Sequence, residues 1–166
     1  YALLGLEQLQ ASRDAFSHAL HLRPADPRAL LNRGLTHYKA DTLSLALDDF
    51  RRAVASKNPP ARAHHLFALV LYRLNQDAQA LIAVDAGLVR HPEHGRMHYL
   101  RGLILAREGK PSLALESLDR ALTRTPHTGE MLLARGALRA QLGDTDGAAA
   151  DYARAQDLLS RATAEP

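Results

Sequence analysis

At 166 residues, 46% hydrophobic and 23% charged, with a formal net charge of +3, the chain has the composition of an ordinary folded domain, which excludes a disordered or collagen-like polymer. There is no cysteine, so disulfides and thiolate metal sites are excluded, and cytosol and periplasm stay equally open. No apolar run approaches the roughly 20 residues that span a bilayer, and the opening YALLGLEQLQ lacks the basic segment and cleavage site of a signal peptide.

Taken in chain order, the apolar spacing predicts helices throughout. Residues 1–26 read as a truncated unit entered partway through a helix, a beginning expected of a piece of something longer. Residues 27–40 (PRALLNRGLTHYKA) and 43–56 (LSLALDDFRRAVAS) read as a helix pair separated by Asp41 and Thr42, with Thr42 or Ser44 as the cap of the second. Full units follow at 61–94, 95–128 and 129–162, beside the one at 27–60. In the unit at 95–128 the turn is Gly109-Lys110, and Pro111 opens the second helix, where its missing N–H costs nothing. The last helix is expected to run to about Arg161 and to leave Leu158 and Leu159 exposed. Lysine occurs only at positions 39, 57 and 110, an arginine bias that points to a GC-rich bacterial coding sequence.

The units repeat every 34 residues. Stepping from Gly34 gives Ala68, Gly102 and Gly136; stepping from Ser12 gives Ala46, Ala80, Ala114 and Ala148. A third small column holds Ala19, Ala53, Gly87, Ala121 and Ala155, and a bulky one holds Phe16, Phe50, Val84, Leu118 and Tyr152. Small residues let paired helices approach closely while the bulky column fills the adjoining space. One hairpin of this size cannot bury its own apolar face, so neighbours must stack into an all-α solenoid.

These columns resemble the tetratricopeptide repeat family, whose 34-residue unit follows the pattern W-x2-L-G-x2-Y, then A-x3-F, then Pro. The second unit offers Leu30, Arg33, Gly34, His37, Ala46 and Phe50; the fourth offers His98, Arg101, Gly102, Leu105, Ala114, Leu118 and Pro126. Tryptophan is absent, and an arginine precedes the glycine. The resemblance covers essentially the whole chain and implies an α-solenoid of antiparallel hairpins wound as a right-handed superhelix, whose first helices line a concave surface.

Arg33, Arg101 and Arg135 share a column, and sixteen residues on lie Asp49, Ser117 and Asp151. Where the arginine is replaced by Phe67, the partner is Ala83, so the arginines are expected to tie the two helices of a unit, with Glu116 as the alternative partner of Arg101. His91, His94 and His98 with Glu93 raise the question of zinc. His98, however, shares its column with His64, Leu30 and Leu132, a packing slot, and no cysteine completes a tetrad. Neither a metal nor a cofactor is expected. No P-loop, G-x-S-x-G, H-E-x-x-H or dinucleotide glycine pattern occurs, so an enzyme is not expected either.

Helical spacing groups residues of the first helices into stripes: Arg28, Leu31, Leu35, Tyr38 and Lys39; Arg62, His65, Leu69, Tyr72 and Arg73; Arg96, Tyr99, Leu103, Ala106 and Arg107. Each has an apolar or aromatic middle and a cation at both ends. The two cationic columns sum to +5 once Glu130 is counted, against +3 for the chain, so positive charge is concentrated there. Arginine forks favour carboxylates, and tyrosine offers apolar area with a polar tip. The expectation is a scaffold or adaptor whose basic, aromatic-lined groove takes an acidic or amphipathic protein segment. A Lys/Asn/Arg carboxylate clamp of the family is matched only at Asn32 and Arg62. The last stripe, Glu130, Leu133, Ala137, Ala140 and Gln141, is nearly neutral, and the alternative reading is self-assembly through terminal repeats. RNA binding on the same Arg and Tyr face is a third, weaker reading, since leucines stand where polar code residues would.

Overall fold

The computed structural model describes residues 2–126 and 128–164, with side chains placed from Glu7 to Arg161 except His127. Among the described residues there are nine helices and no strand: α1 (Ala2–Leu22), α2 (Pro27–Lys39), α3 (Leu43–Val54), α4 (Ala61–Arg73), α5 (Asp77–Arg90), α6 (Gly95–Arg107), α7 (Pro111–Arg124), α8 (Gly129–Gln141) and α9 (Thr145–Ala164). The chain divides into two compact units, residues 1–83 and 84–166. The fold is an all-α repeat of helix hairpins.

The turn between paired helices is built the same way four times. Asp41, Asn75, Gly109 and Gly143 all adopt positive φ, from 56° to 86°. That left-handed residue returns the next amide onto a carbonyl five residues back, from Thr42 to His37, Gln76 to Leu71, Lys110 to Leu105 and Asp144 to Arg139, each at 2.9 Å. Terminal carbonyls of the first helix are thereby satisfied without water. Thr42 stands at the N-cap of α3 but makes no side-chain cap; its hydroxyl instead donates to the His37 carbonyl at 3.0 Å. Real side-chain caps occur at α2, where Asp26 accepts from the amides of Arg28 and Ala29, and at α6, where His94 accepts from that of Met97. Pro111 begins α7 as its spacing predicts.

In the first unit, α2 packs on α1 and α3, and α3 on α4. The core gathers Leu20, Leu30, Ala46, Phe50, Leu66 and Val70. Gly34 explains the closeness of α2 and α3, since a Cβ there would lie 2.6 Å from the Phe50 ring. The second unit repeats the arrangement with α6 on α7 and α8 on α9, where a Cβ on Gly102 would meet Leu118 at 2.9 Å and one on Gly136 would meet Tyr152 at 2.8 Å. Overpacking at such contacts costs about 1–3 kcal/mol, which keeps these positions small. At the chain's last helix, Leu159 is 52% exposed as expected, whereas Leu158 is partly buried against Ala121, Met131 and Ala155.

Candidate functional site

The arginines of the 33, 101 and 135 column are struts. Arg33 forms a two-pronged pair with buried Asp49, Nε to Oδ2 at 2.8 Å and Nη2 to Oδ1 at 2.6 Å. Arg135 grips Asp151 with the same geometry, 2.8 and 2.6 Å. Arg101 donates to Ser117 Oγ at 2.9 Å, but its carboxylate partner is Asp85 at 2.7 Å. Glu116 instead pairs with Arg120 one turn along its own helix. The sequence reading missed the backward partners altogether: Ser17 for Arg33, Asp85 for Arg101 and Asp119 for Arg135, each sixteen residues before its arginine. The signal was available, because Asp85 and Asp119 are one period apart. Each strut thus joins a first helix to the second helices on both sides. Hydrogen bonding to Asp49 and Asp151 raises the pKa of Arg33 and Arg135 against the desolvation that opposes it, so both guanidiniums stay charged.

The histidines serve packing and capping. His98 is 7% exposed, with Nε2 2.7 Å from the Pro92 carbonyl. His94 turns Nδ1 toward the Met97 amide at 3.2 Å, and burial lowers its pKa. Among the described residues, no three His, Cys, Asp or Glu side chains converge as a metal would require.

The predicted stripe residues distribute as follows in the first unit. Arg28, Lys39, Arg62 and Arg73 are exposed; Leu35, Tyr38, His65, Leu69 and Tyr72 are half-buried. Leu35, Tyr38 and Leu69 pack on the core cluster with one side. Leu31 belongs to the core itself at 8% exposure, so it is a packing residue rather than a surface one. The α2 and α4 stripes meet at one end: the Arg73 guanidinium carbon lies 5.0 Å from the Tyr38 ring centroid, and Nη2 donates to Asp41 at 2.9 Å. Hydrogen bonding to Tyr38 and the nearby Asp41 charge raise the pKa of Arg73. Arg28, Lys39 and Arg62 make no side-chain hydrogen bond or ion pair with the described residues.

Position along the helix separates these cations. Lys39 and Arg73 are the last residues of α2 and α4, where the negative end of the helix dipole favours them. Arg28 and Arg62 are second residues of their helices, where that dipole opposes them and no acidic side chain shares the first turn. In the second unit Arg96 occupies the same place on α6, and Arg107 ends the helix. Tyr99 and Leu103 are half-buried between them. The neighbouring stripe on α8 opens with Glu130, whose Oε1 accepts from the Tyr99 hydroxyl at 3.1 Å.

Among the described residues, no helix is long and apolar enough to cross a membrane. No curated protein matches the chain in sequence. Solved structures with the same fold include a crystal structure of MamA, at 16% identity with a TM-score of 0.81, covering 93% of this chain and 91% of that one. They also include YrrB, described as a TPR protein with an unusual peptide-binding site, at 19% identity and a TM-score of 0.72 over 95% of this chain and 81% of that one. TTC0263, a thermophilic TPR protein of Thermus thermophilus, is 28% identical, with a TM-score of 0.73 over 96% and 91% of the two chains. The tetratricopeptide repeat family model matches residues 1–63, 65–127 and 105–163, and with its glycine and alanine columns, repeated turn and paired helices the chain belongs to that family, whose fold generally mediates protein–protein interaction.

Proposed function

We propose that the chain is a binding module, not an enzyme, and that the α2 and α4 face of the first unit takes an acidic or amphipathic protein segment. One observation carries this reading: Arg28, Arg62 and Lys39 stand exposed and make no side-chain hydrogen bond or ion pair with the described residues, Arg28 having only the nearby capping carboxylate of Asp26, around half-buried Leu35, Tyr38, Leu69 and Tyr72. Unpaired guanidiniums offer two-pronged contacts to carboxylates, and half-buried leucine and tyrosine offer area to flanking apolar side chains. His65 lies on the same α4 stripe as Arg62 and Leu69. In the second unit Arg96, Tyr99, Leu103 and Arg107 present a shorter version of this chemistry.

The test is fluorescence anisotropy with a labelled peptide, EELEEFEE, at low and physiological salt. Binding is expected with the intact chain. The double variant Arg28→Glu, Arg62→Glu should weaken it by at least about tenfold, since two charge-assisted contacts become repulsive. Equal binding by both proteins, or none by the intact chain, would overturn the reading.

A second reading, self-assembly through the last hairpin, is favoured by the exposure of Leu133 (42%), Leu142 (45%), Tyr152 (40%) and Leu159 (52%) on α8, its turn and α9. Light scattering on the intact chain and on Leu133→Ser, Leu159→Ser decides it: a concentration-dependent mass that the double variant lacks would support assembly there, and a constant monomer mass would end it.

A further inference from the structure

Asp41 is an aspartate where the backbone does not ask for one. Its φ of 56° belongs to the left-handed region, and the equivalent turn residues are Asn75, Gly109 and Gly143. Glycine adopts that conformation freely and asparagine tolerates it well, so the turn itself would be served by either. What aspartate adds is a carboxylate. It reaches Arg73, 32 residues away, and accepts from Nη2 at 2.9 Å, while the same guanidinium stacks on Tyr38 at 5.0 Å.

This places one of the protein's own carboxylates on a cation that the partner-binding reading assigns to the partner. The contact is open to water on both sides, with side-chain exposures of 39% for Arg73 and 76% for Asp41. Exposed pairs of this kind contribute little net stabilisation, so a ligand able to make several contacts at once can replace one cheaply. In the second unit the corresponding turns carry Gly109 and Gly143, which have no side chain to offer.

We propose that Asp41 is a built-in competitor for the partner's carboxylate. The ligand class is a peptide bearing Asp or Glu beside an apolar side chain: its carboxylate takes the place of Asp41 on Arg73, and the apolar neighbour lies on half-buried Leu35 and Leu69. This rests on the reading of the α2 and α4 face as the site of an acidic segment. Asp41 then acts as a specificity residue. It rejects isolated carboxylates, which gain too little to displace it, and admits segments that also engage the leucine and tyrosine surface.

The experiment is the same EELEEFEE anisotropy titration, run on Asp41→Asn, Arg73→Gln and the double variant, with thermal melts of each. Asparagine keeps the turn, as Asn75 does in the next hairpin. Asp41→Asn is expected to bind the peptide about threefold more tightly without a gain in melting temperature, and the effect should vanish in the Arg73→Gln background. Free acetate should compete with the peptide at lower concentration on Asp41→Asn than on the intact chain. Unchanged or weaker binding by Asp41→Asn, while Arg28→Glu with Arg62→Glu still abolishes binding, overturns the competitor and leaves the face assignment standing. Peptide binding that ignores the Arg28 and Arg62 reversal overturns both.

Discussion

The first-helix faces of the two units share their packing and differ in their charge. In the first unit the leading turns of α2 and α4 carry Arg28 and Arg62, both opposed by the helix dipole and both unpaired among the described residues. In the second, α6 keeps Arg96 while α8 substitutes Glu130, which the dipole favours and which receives the Tyr99 hydroxyl. Beneath these faces the Gly34 and Phe50 contact recurs as Gly136 and Tyr152, and the Arg33 and Asp49 strut recurs as Arg135 and Asp151. Packing positions obey the repeat because every hairpin must close the same gap. Face positions are released from that demand, and the proposed binding role rests on the cations kept there.

The largest expected effect tests the shared part. Asp151→Ala should cost about 3 kcal/mol, because it leaves Arg135 and Arg139, both partly buried, without the carboxylate they share. Asp49→Ala should cost somewhat less, having a single arginine to abandon, and Asp85→Ala only about 1 kcal/mol, since its carboxylate is half exposed. Urea unfolding followed by circular dichroism gives the order; an Asp85 variant as damaged as the Asp151 one would break that ranking by burial.

A middle-sized effect distinguishes the units by pH. His94 has a lowered pKa through burial and must keep Nδ1 unprotonated to accept the Met97 amide, whereas the unfolded chain takes up a proton near 6.5. Stability from this group is therefore complete above pH 6.5 and is lost as pH falls below it, a loss bounded by that of a helix cap, about 1 kcal/mol. His37 in the first unit is shifted the same way by burial, but Thr42 already gives its hydroxyl proton to the His37 carbonyl, so Nδ1 is the donor to Thr42 and protonation spares that bond. Melting curves from pH 8 to 5 should flatten more for His94→Asn than for His37→Asn.

The smallest effect concerns the faces themselves. Arg62→Glu should stabilise the free chain by roughly 0.5 kcal/mol while weakening peptide binding, and Glu130→Arg should destabilise it by a similar amount. Differential scanning calorimetry reads both signs. If Arg62→Glu destabilises, the cation has a structural duty and the contrast between the faces disappears.

The period, the hairpins and the turn at Gly109 were legible because packing columns repeat and repetition can be counted. The forward strut partners were legible through the exchange of Arg for Phe67 and Asp for Ala83. Less was visible where geometry sets the outcome. Leu31 lies within the arc of the exposed stripe, yet neighbouring helices cover it. The N-cap role of Thr42 failed because its hydroxyl finds the His37 carbonyl first. Glu116 and Asp85 lie 15 and 16 residues from Arg101, and only the folded geometry selects Asp85. That Arg73 is occupied by Asp41 could not be read from either residue's own helix, because the pair joins a turn to the end of the next first helix.

The struts carry a consequence for how such a chain can grow. Every one of these arginines looks sixteen residues forward and sixteen back, to Ser17 and Asp49, to Asp85 and Ser117, or to Asp119 and Asp151. A duplicated hairpin would arrive with its own plug and its own socket, ready to join either neighbour without inventing new chemistry. Lengthening by whole units is then the least disruptive change open to this sequence, and an insertion of any other size would leave a buried charge stranded at the junction.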